Sequence, residues 1–144
     1  MGTRSHIGML QPDGTVMAIY CHWDGYPEHN GKVLMEHYTD PEKIKALIAL
    51  GSLSSLGPEL GEKHKFEEHN DQWCTAHHRD RDEELRVDNH KNVDFYLCGK
   101  NDSYGGGEWR YLWDGTQWLG ASEDGDTFIP IPELLKKNAE DDGD

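Results

Sequence analysis

Long apolar runs are missing from this chain. No stretch approaches the roughly 20 consecutive apolar residues that a membrane-spanning helix needs, so the sequence argues for a soluble, cytoplasmic protein with no membrane partner. The opening Met1-Gly2-Thr3-Arg4-Ser5-His6 passes into a short alternating segment and lacks the apolar core of a signal peptide. His6 also stands where the myristoylation pattern wants Ser or Thr. Cysteine is scarce: Cys21, Cys74 and Cys98 are odd in number and form no CxxC pair, which fits reduced thiols in a cytosol. Basic residues are few as well. Against 28 Asp and Glu there are 14 Lys and Arg, a formal charge of −14. Such a surface repels DNA, RNA and anionic membranes, which excludes non-specific nucleic-acid binding. The same acidity leaves two readings open: it serves solubility, or it imitates DNA to occupy a basic partner. There is no Walker-type phosphate loop and no GxSxG elbow.

What is present suits one domain. A chain of 144 residues is long enough for one real core, and five Trp and six Tyr offset a hydrophobic fraction of only 35%. Residues 5–22 read as a hairpin, with Ile7, Met9 and Leu10 before the turn Pro12-Asp13-Gly14 and Val16, Ala18 and Tyr20 alternating after it. Residues 23–31 read as a loop and 32–38 as a short helix. A second helix follows Asp40 as N-cap, with Pro41 first in the helix, a stripe of Ile44, Leu47 and Ile48, and Gly51 as its stop. Residues 52–61 read as a turn-rich connection and 62–92 as charged loops with one short strand near 75–78. Residues 93–98 read as a strand, and 108–121 as a second hairpin about Asp114-Gly115, with Trp109, Tyr111 and Trp113 alternating into the core. Residues 130–138 close the fold as a helix. The expected architecture is α+β: a mainly antiparallel sheet built from two hairpins, with two or three helices packed on it. Residues 1–138 form the single domain and 139–144 an acidic disordered tail.

The segment Tyr20-Cys21-His22-Trp23-Asp24-Gly25-Tyr26-Pro27 ends a strand in a loop dense with polar and aromatic groups, where scaffolds usually present function. Trp23 and Tyr26 offer π-faces to a base, and Asp24 can accept a pair of N–H donors such as a guanine edge. Packing of both rings under the loop, with Asp24 closing a turn, is the alternative. Arg4, flanked by Thr3 and Ser5, has a planar fork that suits phosphate; an ion pair with Asp24 would use it up instead. Arg79 and Arg81 alternate with Asp80 and Asp82, either as a salt-bridged segment or as a second phosphate clamp. Cys74 and His77 have usable spacing for zinc, but His64 and His69 lie five apart and do not complete a tetrahedral set, so no metal and no cofactor is expected. Cys21 beside His22 is not a dyad, because neighbours on a strand point apart.

The opening Gly2-Thr3-Arg4-Ser5, a hairpin and then His22-Trp23-Asp24-Gly25-Tyr26-Pro27 before Gly31 and a helix resemble a set of small proteins, many of them from bacteriophages. His78-Arg79-Asp80-Arg81 matches a second motif of that set. The match covers about the first 56 residues and that short stretch, and the charged insert at 57–72 departs from it. The pattern is similar to the phage anti-CBASS sponge proteins. That resemblance implies an immune-evasion protein that works as a homo-oligomer in the host cytoplasm. It would sequester a cyclic di- or trinucleotide signal without cleaving it, through Thr3, Arg4, His22, Trp23, Asp24, Tyr26 and Arg79. Two other classes stay open: a small phosphoester or amide hydrolase that uses the same loop with His22 and Asp24 as acid and base, and an acidic DNA mimic that inhibits a host defence protein through its carboxylate surface and needs no pocket.

Overall fold

The structure, a computed structural model, describes residues 4–23, 25–63, 65, 72–98, 109–122 and 127–142, without the side chains of 98, 122 and 137–142. Strand β1 (Ser5–Leu10) turns back into β2 (Val16–Cys21), and β6 (Trp109–Trp113) into β7 (Trp118–Ser122), both antiparallel. Both turns carry the same tripeptide, Asp-Gly-Thr. Asp13 Oδ1 accepts from Thr15 N at 3.0 Å and Thr15 Oγ1 at 2.6 Å. Asp114 Oδ1 accepts from Thr116 N at 2.9 Å, Thr116 Oγ1 at 3.0 Å and Gln117 N at 2.9 Å. The aspartate thus replaces a turn's backbone acceptor, and the glycine supplies the positive φ, +89° at Gly14 and +107° at Gly115.

The two hairpins join through a parallel pairing of β1 with β6, from Ser5↔Trp109 to Met9↔Trp113. Further strands extend the sheet. β3 (Leu53–Ser55) lies parallel to β2, β4 (Thr75–Ala76) pairs with β3, β5 (Asp88–His90) pairs with β2, and β8 (Ile129–Pro130) pairs with β7. Among the described residues this makes a mostly antiparallel sheet of eight strands, ordered β4-β3-β2-β1-β6-β7-β8 with β5 beside β2. The fold is α+β.

One face of the sheet carries Ile7, Met9, Ile19, Cys21, Tyr111 and Trp113 into the main core. Against it pack α1 (Lys32–His37), α2 (Pro41–Ala49) and α5 (Ile131–Asp142), through Leu34, then Ile44, Leu47 and Ile48, then Ile131. The sequence signals of α2 act as read: Asp40 Oδ1 accepts from Glu42 N at 3.0 Å and Pro41 stands at the first turn. The opposite face takes a smaller cluster of Val16, Ala18, Leu112 and Tyr96. Tyr96 lies so close to Gly8 that a Cβ there would meet its ring at 2.9 Å, and its hydroxyl donates to Tyr111 O at 2.7 Å.

Several segments depart from the sequence reading. Residues 93–98 are not a strand but α4 (Val93–Cys98). Their Val93-Phe95-Leu97 alternation mimics period two, yet Asn92 Oδ1 accepts from Phe95 N at 2.9 Å and starts a helix that lays Tyr96 on the sheet. The charged stretch after β4 forms α3 (His77–Arg81), not an extended salt-bridged segment. The loop at 23–31 contains a π-helical turn, Pro27–Gly31, and the turn-rich connection at 52–61 contains β3. The described residues hold five helices, where two or three are read from sequence. The last of them runs to Asp142, past residue 138, since Ala139 and Glu140 favour helix. No helix of the described residues is long and apolar enough to cross a membrane.

Leu47 is fully buried between α2 and the sheet. Leu47→Ala should therefore lower stability by roughly 2–5 kcal/mol in urea denaturation; a loss below about 0.5 kcal/mol, the range of surface substitutions, would contradict this packing.

Candidate functional site

Strand alternation sets the chemistry of the face opposite the main helices. In β1 the apolar face takes Ser5, Ile7 and Met9, so Arg4 and His6 belong to the other. Register then places Tyr20 beside His6 on one side and Arg110 on the other. Across β3 the row Cys21, Leu53 and Ala76 is buried in the apolar core, and residues one step away turn over. His22 N donates to Leu53 O and His77 N to Ser52 O, both at 3.0 Å. The result is a polar row, Arg110–His6–Tyr20–Ser52–His77, running across the sheet from β6 to the start of α3. A second, shorter row of Arg4, His22 and Ser54 lies beside it at the sheet's end. None of the described residues in these two rows is a carboxylate, in a chain of charge −14.

Burial grades along the floor. His6 and Thr75 are fully buried, Tyr20, Ser52, Ser54 and Arg110 nearly so, His22 and His77 half-buried, and Arg4 exposed. His6 meets Tyr20 edge to face with ring centroids 5.7 Å apart, and the Tyr20 hydroxyl shares a hydrogen bond of 2.9 Å with His22 Nδ1. Burial, helped by the charge of Arg110 and by His90, pulls the His6 pKa from 6.5 down to about 3. His77 is also lowered, first by burial and then by Arg81 and His22, against the pull of Glu83. The Arg4 side chain makes no hydrogen bond or ion pair with any described residue, whereas its carbonyl accepts from Trp109 N at 3.3 Å.

The aromatic loop wraps round the end of the sheet. Trp23 stands edge-on to His22, centroids 4.8 Å apart, with 41% of its surface exposed, and Tyr26 is 38% exposed. Both rings are therefore presented and not packed under the loop. The loop is nonetheless fixed on its inner side. Tyr111 donates its hydroxyl to Gly25 O at 2.5 Å, and buried Asn30 donates Nδ2 to Ser5 Oγ at 3.3 Å and Cys21 Sγ at 3.4 Å. His29 Nδ1 donates to Asn30 Oδ1 at 2.8 Å, so the Asn30 amide is held at both ends.

Of the residues read from sequence, Arg4, His22 and Trp23 come together at this end of the sheet, and Tyr26 follows in the loop anchored to Tyr111, Ser5 and Cys21 of the other face; Thr3 and Asp24 lie outside the described residues. Arg79 does not join them. Its Nη1 donates to Leu60 O and Gly61 O, its Nη2 to Cys74 O, and Nε and Nη2 to the Asp80 carboxylate, all at 2.8–3.2 Å. The guanidinium is spent on holding the stem of the charged insert, the salt-bridged alternative of the sequence reading. Cys74 sits buried against Tyr38 and Gly57, its thiol pKa raised by burial, and His78 Nδ1 donates to Glu83 O at 2.7 Å. Among the described residues no group of three or more His, Cys, Asp and Glu side chains converges on a metal position. His6, Ser52 and Arg110 escape the sequence reading, Tyr20 enters it only as part of the hairpin and the head of the loop segment, and His77 only as a candidate zinc ligand. Period two does carry a signal for three of them, since Arg110 falls between the core-facing Trp109 and Tyr111, and His6 and Tyr20 share the phase of Arg4 and His22. No protein-family model, curated protein or solved structure matches this chain.

The buried His6 gives an expected pH dependence. Unfolded, it takes a proton near 6.5; folded, not until about 3. Its contribution is thus fully present above the unfolded pKa and is lost as pH falls from there toward the folded one. Wild-type protein should lose about 2 kcal/mol more than His6→Phe between about pH 7 and about pH 5 in urea denaturation. Parallel pH profiles for the two proteins would refute it.

Proposed function

We propose that this chain binds and sequesters a small phosphorylated nucleotide, a cyclic di- or trinucleotide signal, without cleaving it. It acts as a phage-encoded immune-evasion protein, a homo-oligomer in the host cytoplasm. The observation that carries this reading is the pairing of an exposed, uncommitted arginine with two exposed aromatic rings at one fixed end of the sheet. Phosphate needs charge-assisted donors, which Arg4 and the imidazole of His22 supply. A base needs a π-surface, which Trp23 and Tyr26 supply. The chain as a whole is acidic and repels bulk nucleic acid, so only a ligand small enough to fit over two rows with no carboxylate among their described residues is accepted. Sequestration asks for no nucleophile, and the hydroxyls of Ser52 and Ser54 and the thiol of Cys21 are all buried. Asp24, outside the described residues, reads the base edge in this scheme.

The decisive measurement is calorimetry against cyclic dinucleotides and trinucleotides, with chromatography of the ligand recovered afterwards. Arg4→Ala should abolish binding while shifting the thermal midpoint by less than about 2 °C, because an exposed side chain without partners among the described residues contributes little to stability. Asp24→Ala should change base preference more than phosphate affinity. Recovery of cleaved ligand would move the protein to the hydrolase class with His22 and Asp24 as acid and base. Silence across the whole panel would defeat the nucleotide reading altogether.

A further inference from the structure

The two polar rows define more than one anion position. Arg4 leads into β1, His22 follows β2, and His77 follows β4, with β3 between the last two. Adjacent strands lie about 4.8 Å apart, so the backbones at Arg4 and His77 are separated by three spacings, roughly 14 Å. Side chains on a sheet stand off it nearly upright, which keeps the tips of Arg4 and His77 farther apart than one phosphate group is wide. His22 stands between them. Resting on the nucleotide reading above, we propose that the floor holds two phosphates at once, one at Arg4 and one at His77, with His22 between. The ligand that fills both positions is therefore an oligonucleotide of at least two phosphates, linear or cyclic, whereas a mononucleotide engages the Arg4 position alone and binds more weakly.

Three observations favour His77 as the far contact. It is half-buried and so reachable, in a row whose inner members are closed off from solvent. Its backbone is pinned by the bond from His77 N to Ser52 O, which fixes where the ring begins. The nearby carboxylate of Glu83 is paired with Arg81, so an anion arriving at His77 meets a charge already partnered. An imidazole there donates N–H to a phosphate oxygen, while Ser52, beside it in the row, is too buried to compete for solvent-exposed ligand.

The test compares ligands with one and two phosphates on the intact protein by calorimetry: AMP and GMP against linear pApA and pGpG and the cyclic adenylyl and guanylyl dinucleotides. His77→Asn, checked for an unchanged melting curve, should weaken the dinucleotides about ten- to a hundredfold, the equivalent of one charge-assisted hydrogen bond, and leave the mononucleotides unaffected. Arg4→Ala should weaken both classes. His77→Gln serves as a second variant if the first melts early. Equal weakening of mono- and dinucleotides by the His77 variants, or none, would overturn the two-phosphate floor while leaving nucleotide binding standing. Failure of the wild-type protein to bind any of these ligands or the cyclic trinucleotides would overturn the nucleotide reading, and the two-phosphate floor with it.

Discussion

β1 is gripped on both edges, antiparallel by β2 from Ser5↔Cys21 to Leu10↔Val16 and parallel by β6 from Ser5↔Trp109 to Met9↔Trp113. A strand so placed has no free edge and both its faces are covered, so each alternate residue must suit a buried setting. Ile7 and Met9 meet that demand on one face. On the other, Gly8 does so by having no side chain, which lets the Tyr96 ring lie on the strand and hand its hydroxyl to Tyr111 O. His6 meets it by staying neutral between Tyr20 and Arg110. Were β1 an edge strand, His6 would be solvated and the polar row would break in its middle. The site, the seat of α4 and the union of the two hairpins all follow from this one central placement.

Elements set by local chemistry were legible in the sequence. The two Asp-Gly-Thr turns are recognisable because the aspartate, the glycine and the threonine each act within four residues of one another. α2 is recognisable because its cap, its proline and its apolar stripe all agree. Elements set by distant partners were not. Val93–Cys98 carries a strand's alternation that masks the local cap at Asn92, and the contact of Tyr96 with Gly8, far along the chain, holds the helix to the sheet. The parallel union of β1 with β6 leaves no local trace, since a crossover of such length has no turn signature. Thus Arg4 and His22 could be paired by hairpin register alone, whereas Arg110 and His77 come from strands whose neighbours cannot be read from sequence. Arg79 was chemically eligible for phosphate, but backbone carbonyls at Leu60, Gly61 and Cys74 claim its donors.

The two faces of the sheet solve opposite problems. The face under α1, α2 and α5 removes apolar area from water and carries most of the stabilisation. The opposite face takes arginine, histidine, tyrosine and serine into the same sheet, each of which costs free energy to desolvate unless it is partnered. The hydrogen bond between Tyr20 and His22, the cation over a ring where Arg110 lies 5.6 Å from Tyr96, and the neutrality of His6 offset part of that cost. A row optimised only for stability would use aliphatic residues there, as the first face does.

The charge distribution points the same way. With 28 acidic and 14 basic side chains, random placement would put carboxylates beside most cations. Described arginines away from the floor fit that expectation: Arg79 with Asp80, Arg81 with Glu83, Arg86 with Glu84. Arg4 stands apart among described residues, and it does so where the described residues of the floor include no carboxylate and where Trp23 and Tyr26 face water. Each of those exposed rings forgoes burial that a loop pinned by Tyr111 and Asn30 is rigid enough to arrange otherwise. A surface that presents a cation and exposed rings in this way meets part of the ordering cost of binding in advance, which is the demand that the proposed sequestering role would make of it.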